Sequence, residues 1–189
     1  PATVDSGGAM IKFGYLPSAT TFSQSTSLCS DLVIKAGTVS VSSYVSINYG
    51  TMPANPNITA TLKYGGGNII TLSNPVYNSV TGLLTWTGTL AADVYIPASE
   101  ILALDISSNQ QGVSFKVLYG SQTKPSKISF QTSSYVSISS LDVYNAPYPA
   151  GSVVANVIAG YSRYIRASVS SPFGFEDVTD LDLTVTPPG

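Results

Sequence analysis

Histidine is absent from all 189 residues, which removes at once the commonest general base and the commonest metal ligand. Cysteine occurs once, as Cys29, so no disulfide can close within the sequence and redox compartment stays open. Charge is sparse: 10% of residues are charged, and Lys and Arg number eight together. With a net charge of -2 and a pI near 4.8 there is no basic footprint, which counts against nucleic acid, and no nucleic-acid partner is expected. Good helix formers are scarce, so helices are not expected. No apolar run approaches the roughly 20 residues of a transmembrane helix. The opening "PATVDSGG" has neither a charged nor an apolar leader region, so any secretion signal is expected to have been removed or to lie upstream.

What remains is rich in Ser, Thr, Gly, Tyr and Val, and 43% of residues are hydrophobic. That is enough for a core, in a composition that favours strands. Strict alternation is the main signal. In "TVSVSSYVSIN", Val39, Val41, Val45 and Ile47 point one way, and Ser40, Ser42, Tyr44 and Ser46 the other. Leu84 and Trp86 share a face, which places Trp86 in the core; Val113, Phe115, Val117 and Tyr119 share another. Between such runs lie "NYGTMPANPN", "YGGGN", "NPVYNSVTG" and "SSNQQG", whose Gly, Pro and Asn mark turns. "YGGGN" has no following helix or lysine, so it reads as a hairpin turn and not a phosphate cradle. The fold class expected is all-β: an antiparallel β-sandwich followed by an incomplete Ig-like β-sandwich.

"GSQTKPSK" breaks the pattern after Tyr119 and sets the expected boundary, with a sandwich of eight to ten strands in residues 1–124 and a second unit in 125–189. The second unit has room for three or four strands, short of the ~7 strands of an Ig-like sandwich. Ile165, Ala167 and Val169 need a facing sheet, as do Leu181, Leu183 and Val185. The missing strands are expected beyond Gly189, by truncation or processing, or from a neighbouring subunit by strand addition.

"LCSDLVIKAGTVSVSSYVSI", "MPANPNITATLKYGGGNIITLSNPVYNSVTGLLTWTGTL", "LDVYNAPYPAGS" and "YIRASVSSPFGFEDVTDLDLTVTPP" resemble modules of very large secreted surface proteins of Bacteroidetes-type bacteria. These include proteins exported by the type IX system and giant adhesins of gliding and attachment. The resemblance runs from about Leu28 to Pro188, and "SSPFG" is its most specific piece. It implies tandem β-sandwiches in an extracellular stalk or filament, and it implies no catalytic residues.

Few residues offer chemistry. Glu176, Asp177, Asp180 and Asp182 cluster, and Asp180 and Asp182 stand roughly 7 Å apart on one strand face. Such oxygens suit calcium between modules; equally, they suit a solvated face that discourages edge pairing. Calcium is the one cofactor expected, and otherwise none. Glu100 and Asp105 fall at odd separation, so as two residues of one strand they face apart, and no acid pair for sugar hydrolysis forms. Cys29 reads as a buried small hydrophobe. Asn57, in "NIT", matches a glycosylation acceptor, a pattern that arises often by chance. Arg163 and Arg166, on opposite faces, are expected to pair with the Asp180/Asp182 strand. Tyr44, Tyr49, Tyr64 and Tyr77, on expected outward positions or loops, and a second group of Tyr144, Tyr148, Tyr161 and Tyr164, either stack on sugar rings or are ordinary strand residues.

The function expected is a non-catalytic structural or adhesive module of a bacterial cell-surface protein: a stalk, filament or adhesin repeat outside the cell. Its partners would be neighbouring modules or like subunits. The alternative is a carbohydrate-binding module that recognises polysaccharide.

Overall fold

A computed structural model describes residues 9–13, 18–121, 123–133, 136–158, 160–174 and 182–184. These contain strands and no helix: β1 (Ala9–Phe13), β2 (Ser18–Ser23), β3 (Leu32–Ile34), β4 (Gly37–Tyr49), β5 (Ile58–Tyr64), β6 (Gly67–Ser73), β7 (Val76–Asn78), β8 (Leu83–Leu90), β9 (Val94–Ile96), β10 (Leu102–Ser108), β11 (Ser114–Tyr119), β12 (Lys127–Ser129), β13 (Ser137–Tyr144) and β14 (Tyr164–Ser170). The chain is all-β, and the pairing among the described residues is antiparallel.

β4 is the axis of the first sheet, whose order is β1-β11-β4-β8-β7. Its alternation is the one read from the sequence: Val39, Val41, Ser43 and Val45 are buried, and the residues between them less so. β12 continues the line of β11 along the same edge of β4, because β8 occupies the other edge. The second sheet runs β2-β10-β5-β6 and faces the first. Between them Ile58, Ala60, Leu62 and Ile106 meet Val41, Leu84, Trp86 and Phe115 in one buried cluster. Trp86 is fully buried, and its indole N–H donates to the Ile58 carbonyl at 3.1 Å, so its one polar atom is satisfied across the gap between the sheets. The buried Ser43 hydroxyl likewise meets Ser126 Oγ at 2.9 Å.

"YGGGN" is a hairpin turn, as read: Gly65 and Gly66, with φ of 52° and 80°, link β5 to β6. Both central positions of a tight hairpin need positive φ, which glycine adopts without a Cβ penalty.

Among the described residues of 1–124 there are eleven strands, more than the eight to ten expected, because β3, β7 and β9 have three residues each. The sandwich also runs past the division expected between 124 and 125. β12 pairs with β4, Thr132 bridges Ile34, and the Ser133 N–H donates to the Val33 carbonyl at 3.3 Å. From there β13 and β14 form a two-stranded ribbon. After β14 the chain returns to the sandwich, where the Cys29 N–H donates to the Pro172 carbonyl at 2.8 Å and Ser171 and Pro172 are buried. The ribbon therefore stands on two feet, both set on the short segment from Cys29 to Lys35. The described part of residues 125–189 thus supplies one strand to the sandwich and one ribbon.

Candidate functional site

The ribbon separates its side chains by chemistry. Register pairs Ile138 with Val169, Leu141 with Ala167 and Val143 with Ile165, and all six share one face. In sequence Ile138 and Leu141 lie three apart, which would send them to opposite faces. A bulge between Ile138 and Ser140 inserts the extra residue that brings them together. This face is apolar and bare among the described residues: Ile138 is 58% exposed, Leu141 57% and Ile165 43%. The expectation that Ile165, Ala167 and Val169 need a facing sheet concerns this face, on which Ala167 and Val169 are half-buried. Leu183 is exposed as well; Leu181 and Val185 lie outside the described residues.

The opposite face carries Ser140, Asp142 and Tyr144 across from Ser168, Arg166 and Tyr164. Arg166 has no acidic partner among the described residues, and Asp180, one of the two acids expected to pair with it, lies outside them. Its guanidinium carbon sits 3.8 Å from the centre of the Tyr144 ring and 5.5 Å from that of Tyr148. One terminal nitrogen, Nη2, donates to the carbonyls of Ala146, at 3.0 Å, and of Ala150. Arg163 lies just before β14 and stacks on Tyr161 at 5.3 Å.

A cavity of about 640 Å³ opens between the two sheets of the sandwich. Phe22, Leu104, Ile106, Val117 and Phe130 line it, and Phe173 from the "SSPFG" stretch reaches it from the returning chain. That stretch is therefore an anchor: its Ser-Pro-Phe-Gly seats the second foot against Cys29.

Of the four acids expected to hold calcium, Glu176, Asp177 and Asp180 lie outside the described residues, and Asp182 is exposed. Among the described residues no three Asp, Glu, Cys or His side chains gather as a metal site. Cys29 is exposed, not buried as expected; its neighbours Leu28 and Leu32 take the core positions, while its own backbone receives the returning chain. Glu100 precedes β10, so it does not share that strand with Asp105. Asp105 is held by Lys63 at 2.6 Å and by the Thr21 hydroxyl. Burial pushes its carboxyl up, but these hydrogen bonds and the lysine charge outweigh burial and hold it below its ordinary value.

The tyrosines divide. Tyr49 is exposed and Tyr44 half-buried, whereas Tyr64 and Tyr77, expected on outward positions or loops, pack against the core. Tyr95, which the sequence reading passed over, is exposed and donates its hydroxyl to Asp31 at 2.6 Å. The Tyr95 hydroxyl and the Ala98 N–H together lower the Asp31 carboxyl, and the same bond raises the Tyr95 phenol. Asn57 is exposed at the entrance to β5. Asp142, Ser140 and Ser168 were also unmarked in the sequence; their period-two spacing with Tyr144 and Arg166 was the available signal.

Among the described residues no helix is long and apolar enough to cross a membrane. No family model, curated protein or solved structure matches the chain.

Proposed function

We propose that this chain is a non-catalytic structural and adhesive module of a large bacterial cell-surface protein, part of a stalk, filament or adhesin outside the cell. The observation that carries the reading is the exposed apolar face of Ile138, Leu141 and Ile165 on a two-stranded ribbon, uncovered among the described residues. A lone pair of strands is marginal in water, and contiguous exposed apolar surface marks an interaction site. Like modules present the same face to one another, and face-to-face packing covers both. The absence of histidine and the engagement of Asp105 by Lys63 and Thr21 weigh against catalysis. The resemblance to giant adhesin modules rests on the residues quoted for it and supports the extracellular setting.

Sedimentation velocity over a concentration series tests the reading. The wild-type chain is expected to self-associate, and the doubly substituted Leu141→Ser, Ile165→Ser chain to remain monomeric with the sandwich folded. A wild-type chain that stays monomeric at millimolar concentration would sink it.

A further inference from the structure

The polar face of the ribbon is more than a solvated surface. Arg166, stacked on Tyr144, holds the Ala146 and Ala150 carbonyls and so folds the loop after β13 back over the strands. That fold brings the Tyr148 ring beside the guanidinium while leaving the residue 83% exposed. Between Tyr148, Arg166, Asp142 and the hydroxyl-bearing Ser140 and Ser168 lies a cup of about 390 Å³, within the roughly 300–1,000 Å³ of small-molecule sites. Clamping the loop accounts for Nη2 of Arg166 and for Tyr144. It leaves over the open ring of Tyr148, and Asp142, which makes no hydrogen bond or ion pair among the described residues although Arg166 stands across from it.

These leftovers are complementary to one ligand chemistry. An exposed aromatic ring offers a flat face to the C–H groups of a sugar. A carboxylate accepts from two neighbouring hydroxyls at once, and serine hydroxyls donate or accept as needed. Asp142 and Arg166 cancel in charge, so the cup favours a neutral sugar over an anionic one, which would lie against the carboxylate. We propose that this cup binds a neutral pyranose carrying adjacent hydroxyls, as a residue of an uncharged polysaccharide. The site does not depend on whether like modules pack together, since the apolar face lies on the other side of the ribbon.

Saturation-transfer NMR on the full chain, with millimolar methyl glucoside, galactoside, mannoside and glucuronide, reads the site. Transfer to at least one neutral glycoside is expected, reduced at least tenfold in Tyr148→Ala and in Asp142→Ala and retained in Tyr148→Phe. Unchanged amide spectra outside the ribbon establish that each variant is folded. Absence of transfer to every neutral glycoside, undiminished transfer in Tyr148→Ala, or tighter binding of the glucuronide would each overturn the proposal. Trp86 is buried in the sandwich and does not report on this cup, so its emission is no substitute.

Discussion

Gly88 shows how closely the two sheets approach. It lies opposite Val39 on the inner face of β8, where a Cβ would come within 2.4 Å of Leu72 Cδ2 and 3.6 Å of Ile70 Cδ1. Leu72 is itself buried and cannot swing into solvent. Gly88→Val is therefore expected to cost roughly 1–3 kcal/mol by overpacking, lowering the Tm by about 2–10 °C in a thermal melt. Asp105 governs a different variable. Its carboxyl is depressed in the folded chain, so between the folded-state value and the unfolded-state value of about 3.9 the folded state binds fewer protons than the unfolded one. The resulting stabilisation is present at neutral pH and is lost as pH falls through the folded-state value. Asp31, lowered by Tyr95 and Ala98, and Asp93, lowered by Lys35 and Ala36, act in the same direction. Thermal midpoints should drop on acidification below about pH 4, and Asp105→Asn should make that drop shallower while lowering the midpoint at pH 7. An acid limb identical in wild type and variant would show that Asp105 contributes nothing to it.

At the scale of elements, long runs with a period of two were legible. β4 announced its inner face through Val39, Val41 and Val45, Trp86 declared itself core by sharing a face with Leu84, and the Gly65–Gly66 turn was readable because few residues other than glycine adopt two successive positive φ values. What escaped was whatever depends on pairing. β12 is three exposed residues with no pattern of its own, and only the free edge of β4 makes it a strand. Ile138 and Leu141 are out of phase until the bulge shifts one of them. The cup escaped for the same reason: Asp142 and Arg166 are far apart in sequence and become neighbours only through the register of β13 against β14. Tyr64 and Tyr77 were misplaced because tyrosine suits both a wet strand face and the rim of a core. Sequence periodicity reports which side of a strand is dry, and it is silent about which strand lies alongside.

For the whole molecule the decisive feature is the pair of feet. The chain leaves the sandwich at Ser133, paired to Val33, and comes back at Pro172, paired to Cys29; at the base of the ribbon the hydroxyls of Ser137 and Ser170 meet at 2.6 Å. Everything between is an excursion that begins and ends on one short stretch of the same edge. Its exposed connection, with Tyr161 and Val157 both open to solvent, is where a protease would enter. Limited chymotrypsin cleavage after Tyr161 is expected to give two fragments on a denaturing gel and an unchanged elution volume under native conditions. Separation of the fragments without denaturant would show that the feet do not hold. If they do hold, the covalent continuity of the ribbon's tip is dispensable: a surface exposed to proteases can be cut at its outermost point and still keep both halves of its outward face in place.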